Sequence, residues 1–147
     1  MKSEETPLID TNVLVYLFDA NAEAKRRISQ DIVTECFMSE RNYSVSMQNL
    51  AECAVVLTRK ISNPIPYEDV CRLIHDITSF DGWNILHYNE KTILNALEIQ
   101  KSYGIHFWDA LLVATMQESY ISTIYTEDAH FAGIPGIIAV NPYKTLL

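Results

Sequence analysis

Short apolar segments alternate with longer amphipathic ones along the chain, and this order constrains the fold more than any other feature. The segments predicted as strands are 7–10, 43–46, 83–88, 122–126 and 137–140. Those predicted as helices are 11–18, 22–41, 47–62, 67–80, 90–103 and 107–118. Strands separated by helices are typical of an α/β fold with a mainly parallel sheet. A length of 147 residues fits one such domain, which we expect to extend over 1–147.

The rest of the sequence favours a globular protein of the cytoplasm. No apolar run approaches the ~20 residues needed to cross a bilayer, so we expect no membrane association. The polar, acidic residues 1–7 lack the apolar core of a secretory signal. Cys36, Cys53 and Cys71 lie in helical segments among apolar residues. Because their number is odd and no CxxC pair occurs, they are predicted to be reduced thiols in the core.

Two acidic residues lie at the ends of predicted strands. Asp10 ends the first strand, immediately after Leu8 and Ile9, and Asp128 follows the segment 122–126. In open α/β sheets, ligands bind at the carboxyl ends of the strands, so both carboxylates would lie at the same edge if these strands are parallel. A plainer interpretation is equally open for each residue, because Asp10 could simply cap a helix and Asp128 could be an ordinary turn residue.

Two further acids lie on helices that are largely apolar. Glu52 belongs to a helix whose apolar residues occupy most of its circumference, so it either faces a solvated strip or is buried with a partner. Asp109 lies at the start of the segment 107–118, which is apolar almost all round and should be buried. A first-turn acid is also favoured by the helix dipole alone, so a structural role for Asp109 stays open.

Acids brought together repel one another unless some are protonated or a divalent ion neutralises them. Oxygen ligands without a Cys/His pattern favour Mg²⁺ or Mn²⁺ over zinc. The four histidines share no ligand spacing, and we expect core or surface roles for them. No P-loop, GxSxG or GxGxxG motif is present. The net charge of −8 counts against a general nucleic-acid binder, since phosphate contacts usually need a basic surface.

The segments that carry these acids resemble the motifs of PIN domains, especially VapC-type ribonuclease toxins. The four similar segments, in chain order, are 8–16 (LIDTNVLVY), 45–52 (VSMQNLAE) with 57–60 (LTRK), 107–114 (FWDALLVA), and 126–128 (TED) with Phe131. Asn141 and Pro142 also fit the family pattern. The similarity extends over about 7–143, and each motif coincides with an acid already singled out. The loop 129–133 is less polar than is usual in the family.

The resemblance implies a three-layer α/β/α sandwich and metal-assisted hydrolysis of RNA. By motif position, the residues that would bind Mg²⁺ or Mn²⁺ and carry catalysis are Asp10, Glu52, Asp109 and Asp128. Asn12 and Thr126 would support them by holding a carboxylate or a water. Arg59 and Lys60 are the basic residues nearest to Glu52 and would contact RNA, with 25–27 as the alternative basic segment.

The resemblance also implies partners, and other functions stay open. VapC-type toxins are held inactive by a small antitoxin and commonly form homodimers. The helices 22–41 and 67–80 carry apolar residues that either face the core or bind such a partner, among them Ile28, Phe37, Leu73 and Ile77. The alternatives are a PIN-like module without catalysis, an RNA-processing PIN nuclease without a toxin role, and an Asp-nucleophile phosphatase. The phosphatase class needs an acid at the position of Asn12.

Overall fold

A computed structural model describes residues 5–144. Residues 1–4, the start of the segment judged not to be a secretory signal, and residues 145–147 lie outside the described residues. The strands are β1 (Leu8–Ile9), β2 (Tyr43–Ser46), β3 (Trp83–Leu86), β4 (Thr123–Tyr125) and β5 (Ile138–Val140). They form one five-stranded sheet in the order β3-β2-β1-β4-β5, and every neighbouring pair is parallel. The predicted α/β class with a central parallel sheet is confirmed.

Helices cover both faces of this sheet and give three layers. They are α1 (Thr11–Val15), α2 (Glu23–Phe37), α3 (Met47–Val55), α4 (Tyr67–Ser79), α5 (Glu90–Tyr103) and α6 (Phe107–Glu118). Helices α1 to α4 contribute to one apolar cluster, and α5 and α6 contribute to another. Alternate residues of a strand point to opposite faces of its sheet. Accordingly, Leu8 packs in the second cluster and Ile9 in the first, so the short central strand β1 is buried on both sides.

The helix starts are fixed by local hydrogen bonds. The Asp10 side chain accepts from the Thr11 amide at the start of α1. Ser46 and Asn49 form a reciprocal capping box at the start of α3. Each cap satisfies backbone amides that have no partner within the helix. Both helices begin within two residues of the end of a strand, so the caps also set where the chain leaves the sheet.

The segment predicted as a helix over 22–41 ends early, because Ser39 has a positive φ of 59° that an α-helix cannot continue. In the segment 47–62, the α-helix stops at Val55 and continues as a π-helix over Val56–Lys60. Thr58 donates its hydroxyl proton to the Ala54 carbonyl at 2.7 Å, and such a bond from a side chain to the preceding turn perturbs helices. The last turn before Lys60 is therefore wider than a regular α-helix.

The packing tests the expectations for the cysteines and for the apolar residues of α2 and α4. Cys36 and Cys53 are buried free thiols, but Cys71 is exposed, because it lies on the solvent side of α4; the prediction of a core thiol is wrong there. The apolar residues singled out on α2 and α4 pack against the first core cluster rather than forming an open partner surface, as for Ile28, Phe37, Leu73 and Ile77. Across residues 5–144, no helix is both long and apolar enough to cross a membrane.

The Ser46 cap generates a stability prediction. Its hydroxyl accepts from the Asn49 amide at 2.9 Å and donates to the Asn49 side-chain oxygen at 2.7 Å, all of it buried. Ser46→Ala is expected to lower the free energy of unfolding by about 0.5–2 kcal/mol. Urea denaturation followed by circular dichroism measures this. Ser102→Ala, on the exposed side of α5, is the matched control and should change stability by no more than about 0.5 kcal/mol. Equal effects of the two changes would contradict the capping role.

Candidate active site

An open cleft of about 620 Å³ lies at the carboxyl edge of the sheet, and all four acids singled out in the sequence line it. They come from separate elements. Asp10 follows β1, Glu52 is on α3, Asp109 is in the first turn of α6, and Asp128 lies just beyond β4. The parallel sheet therefore collects at one place four carboxylates that are up to 118 positions apart in sequence (128 − 10 = 118).

Asp10 is held by hydrogen bonds to both of its carboxylate oxygens. Oδ1 accepts from the Thr11 amide at 2.8 Å, and Oδ2 accepts from the Thr126 hydroxyl at 2.7 Å. Burial raises the pKa of Asp10, and the negative charges of Glu52 and Asp109 raise it further. The two hydrogen bonds lower it without cancelling the rise. Asp10 is thus both the helix cap considered in the sequence and a wall of the cleft.

Glu52 is fixed by a short chain of polar side chains. Its Oε2 accepts from the Thr11 hydroxyl at 2.9 Å, and that hydroxyl accepts from the Asn49 amide group at 3.0 Å. Its Oε1 accepts from the Gln48 side chain at 2.9 Å. The same Gln48 nitrogen donates to the Trp108 carbonyl at 2.9 Å, which ties α3 to α6. Glu52 is therefore a partnered carboxylate and not a member of a plain solvated face.

Asp109 has the least support of the four. Among residues 5–144, no protein group donates a hydrogen bond to its carboxylate. Burial raises the pKa of Asp109, and the carboxylates of Asp128 and Glu52 add to the rise, while His106 and His130 oppose it. A carboxyl group with a raised pKa and no donor is less stable when ionised, so it attracts any cation that enters the cleft.

Asp128 lies beside a histidine that the sequence analysis did not assign to the site. Its Oδ1 accepts from the His130 amide at 2.9 Å and lies 3.0 Å from the ring Nδ1 of the same residue. One ligand atom from each of Asp109, Asp128 and His130 lies within 4.8 Å of the others. His130 is exposed, and Asp128 caps the short 3₁₀ helix Ala129–Gly133 by accepting from the His130 amide. The spacing of two residues between Asp128 and His130 is the sequence feature that could have indicated this contact.

The donor set fits a divalent cation. Four carboxylates line one cleft, two of them have raised pKa values from burial and mutual repulsion, and Asp109 has no protein donor. A hard cation such as Mg²⁺ or Mn²⁺ binds oxygen ligands of this kind. The imidazole of His130 is the exception in the set, since nitrogen ligands suit transition-metal ions better.

The segment that carries Asp128 is anchored from both sides. The Thr126 hydroxyl, which donates to Asp10, accepts from the Asp128 amide at 3.0 Å. Between them, Glu127 is paired with Lys25 at 2.8 Å and accepts a hydrogen bond from Tyr16. Burial alone would raise the pKa of Glu127, but these donors outweigh it and lower the pKa. The backbone that presents Asp128 is therefore fixed to α2.

The other polar and basic residues predicted to belong to the site differ in whether they line the cleft. Asn12 lines the cleft but is exposed, and within the described chain it is Thr11, not Asn12, that hydrogen-bonds a carboxylate. Lys60 lines the cleft, whereas Arg59 is exposed outside its lining. In the alternative basic segment, Lys25 is engaged by Glu127 and lies over the rings of two tyrosines.

Comparison with solved structures shows the same fold in three bacterial proteins. A toxin-antitoxin complex from Klebsiella pneumoniae shares 23% identity with a TM-score of 0.65, covering 94% of this chain and 98% of that one. A sarcin-ricin loop cleaving VapC toxin from Mycobacterium tuberculosis shares 18% identity with a TM-score of 0.64, covering 90% and 98%. A VapBC complex from Rickettsia felis, bound to a DNA fragment from its promoter, shares 18% with a TM-score of 0.62, covering 92% and 98%.

The sequence itself matches one family. No curated protein matches it. The family model described as PIN domain, however, matches residues 8–137, which include every acid of the cleft. This match spans nearly the whole length of the chain and agrees with the five-stranded parallel sheet and the position of the cleft. The chain therefore belongs to the PIN domain family.

Proposed function

We propose that this protein is a metal-dependent endoribonuclease of the VapC type and the toxin of a toxin–antitoxin pair. The observation that carries the proposal is the gathering of Asp10, Glu52, Asp109 and Asp128 in one open cleft. These four residues are proposed as the catalytic and metal-binding groups. The fold shared with VapC toxins, and the membership in the PIN family, support the assignment.

The proposed reaction is hydrolysis of a phosphodiester bond, in which a water oxygen bonds to phosphorus as the bond to the 3′ oxygen breaks. A bound Mg²⁺ or Mn²⁺ would supply charge stabilisation to the phosphate and lower the pKa of the attacking water. Thr11 and Thr126 keep the Glu52 and Asp10 carboxylates in fixed orientations. Asp128, whose amide donates to the Thr126 hydroxyl, would orient a water or complete the ligand set. Asn12 is proposed to hydrogen-bond water at the cleft wall.

Lys60 and Arg59 are proposed to contact RNA phosphates. Lys60 belongs to the widened last turn of the helix that carries Glu52, and it reaches the cleft. Arg59 lies next to it on the exposed surface and could follow the strand of RNA beyond the cleft. Their charges partly offset an acidic surface that would otherwise repel the substrate.

The carboxylates give the direct test of catalysis. Asp109→Asn or Asp10→Asn keeps the side-chain size and removes one charge. We expect RNA cleavage to fall by more than about 100-fold, since even changes to residues that only hydrogen-bond a metal ligand cost about 10–100-fold. Cleavage of a labelled oligoribonucleotide in Mg²⁺, with a chelator control, measures the rate. Asp76→Asn, an exposed acid on α4, is the matched control and should retain full activity. Near-normal cleavage by both site variants would overturn the assignment.

Metal binding can be measured without any substrate. Added Mg²⁺ or Mn²⁺ should raise the melting temperature, because a ligand that binds only the native state stabilises it, by about 2.7 kcal/mol at a hundredfold excess over Kd. The Glu52→Gln/Asp109→Asn double variant should lose this response. A Glu98→Gln/Asp76→Asn double variant, which changes two exposed acids, should keep it. If all three proteins respond equally, the ion binds elsewhere.

An antitoxin and a second copy of the chain are the proposed protein partners. Two of the similar structures are toxin–antitoxin complexes, which supports an antitoxin for this chain as well. An acidic cleft is a natural target for an Arg or Lys side chain from an inhibitor, which would neutralise the carboxylates in place of the metal. Apolar residues remain exposed on α5 for contacts with another chain, namely Ile93, Leu94 and Leu97. The proposed location is the cytoplasm, where the free thiols stay reduced.

The toxin role is tested in living cells. Expression of the wild-type chain alone in a bacterial host is expected to slow growth, because uninhibited RNA cleavage blocks protein synthesis. Asp10→Asn should restore normal growth at equal protein level, measured by growth curves and immunoblot. Harmless accumulation of a folded, metal-binding wild type would contradict the toxin role and favour an RNA-processing PIN nuclease.

A further inference from the structure

Two aromatic side chains lie exposed at the acidic cleft. Trp108 is 59% exposed and Tyr88 is 41% exposed, and both line the same cleft as the four acids. They reach it from different elements. Trp108 is in the first turn of α6, directly before Asp109, and Tyr88 follows β3 just before the Asn89 cap of α5. Large exposed aromatic groups cost solvation free energy, and their convergence beside a polar site indicates a ligand with an apolar face.

Part of the cleft lining is also apolar. It includes Ala51 and Val55 of α3 and Val56 at the start of the π-helix. Lys60 is the one basic residue among the cleft-lining residues of the described chain. With a net charge of −8 on the whole sequence, phosphate contacts alone supply little attraction for RNA. A substrate must therefore gain much of its affinity from groups other than its phosphates.

Trp108 is fixed in position. Its carbonyl accepts from the Gln48 side chain at 2.9 Å, and its ring meets the Phe107 ring edge-on at a centroid distance of 5.4 Å. The backbone that carries it thus belongs to the hydrogen-bonded chain that holds Glu52. An anchored ring loses little conformational entropy when a planar group stacks on it.

We propose that Trp108 and Tyr88 form a stacking platform for unpaired bases of an RNA bound in the cleft. This rests on the proposed ribonuclease function and assigns two further substrate-binding residues to it, both exposed in the cleft. Every base has a π-face, so stacking tolerates any sequence, whereas a base inside a duplex is already stacked and paired. The platform therefore does not take up the bases of an intact duplex.

The two tryptophans of the chain make the platform measurable. Trp83 is 4% exposed in the core, so a ligand that stacks on a tryptophan from solvent quenches Trp108. The probe is an unstructured 12-nucleotide RNA of mixed sequence, titrated in Ca²⁺, which binds oxygen ligands and neutralises the acids. Gel analysis after each titration confirms that the RNA is intact. The expected result is saturable quenching by the single strand and none by the same sequence in a duplex.

Variants separate stacking from other effects. Trp108→Phe should abolish the quenching but keep most of the affinity, since a ring remains. Trp108→Ala and Tyr88→Ala should each weaken binding by about 5- to 150-fold, the equivalent of the 1–3 kcal/mol measured per stacked base, and raise KM in cleavage assays. Tyr120→Ala, which removes a ring that is 94% exposed and lies outside the cleft lining, is the control and should behave as wild type.

The outcomes for stacking and for catalysis are distinguishable. Quenching that persists in Trp108→Phe, an unchanged KM in Trp108→Ala, or equal binding of duplex and single strand would each overturn the platform. An unchanged KM would also be the result if these rings served only an inhibitor protein. If the wild type cleaves RNA but shows no quenching, the ribonuclease function stands and the stacking platform is contradicted. If quenching is saturable but no metal-dependent cleavage occurs, the stacking platform is supported and the ribonuclease function is contradicted.

Discussion

The hydrogen bond from Thr126 to Asp10 joins the two central strands at the point where the cleft begins. Thr126 follows β4 and Asp10 follows β1, and the bond between them is 2.7 Å long. The same hydroxyl accepts from the Asp128 amide, so one buried side chain fixes the carboxylates that follow both strands. Because a hydroxyl has one proton and two lone pairs, it can do both at once. Neither an alanine nor a valine could keep these two acids in register.

The carboxylates of the cleft differ in how many hydrogen-bond donors each one has. Glu52 accepts from two side chains, and Asp10 accepts from one side chain and one backbone amide, so each carboxylate has donors that fix its orientation. Asp109 lacks such donors, and its pKa is raised by burial and by Asp128. In the metal-free protein, the Asp109 carboxyl contributes most to the stability of the fold when it is protonated, at a pH below its ordinary pKa of 3.8. This contribution is lost as the pH rises through the raised pKa of Asp109 in the folded protein. At neutral pH a divalent cation would therefore relieve a cost that the protein itself leaves uncompensated.

The fold could be predicted from the sequence because its elements have local causes. Alternating apolar strands and amphipathic helices indicate the parallel α/β class. The helix predicted over 90–103 has those bounds in the structure, because Gly104, with a φ of 66°, ends it. Ends decided by single backbone conformations were missed, as at Ser39. The four acids could be named because each follows a strand or interrupts an apolar helix. Their partners Thr11, Gln48 and Asn49 could not, because their hydrogen bonds join separate elements.

The acidity of the protein and its proposed substrate can be reconciled by where the charges lie. Carboxylates at the cleft repel a phosphate until a divalent cation neutralises much of their charge and attracts the phosphate oxygens, so RNA would bind there only together with metal. Away from the metal, Lys60 supplies one positive charge at the cleft, and the exposed rings supply attraction that salt does not screen. Affinity built in this way depends on metal and on unpaired bases more than on ionic strength. Such dependence would also limit binding to the many structured RNAs that a strongly basic surface would retain.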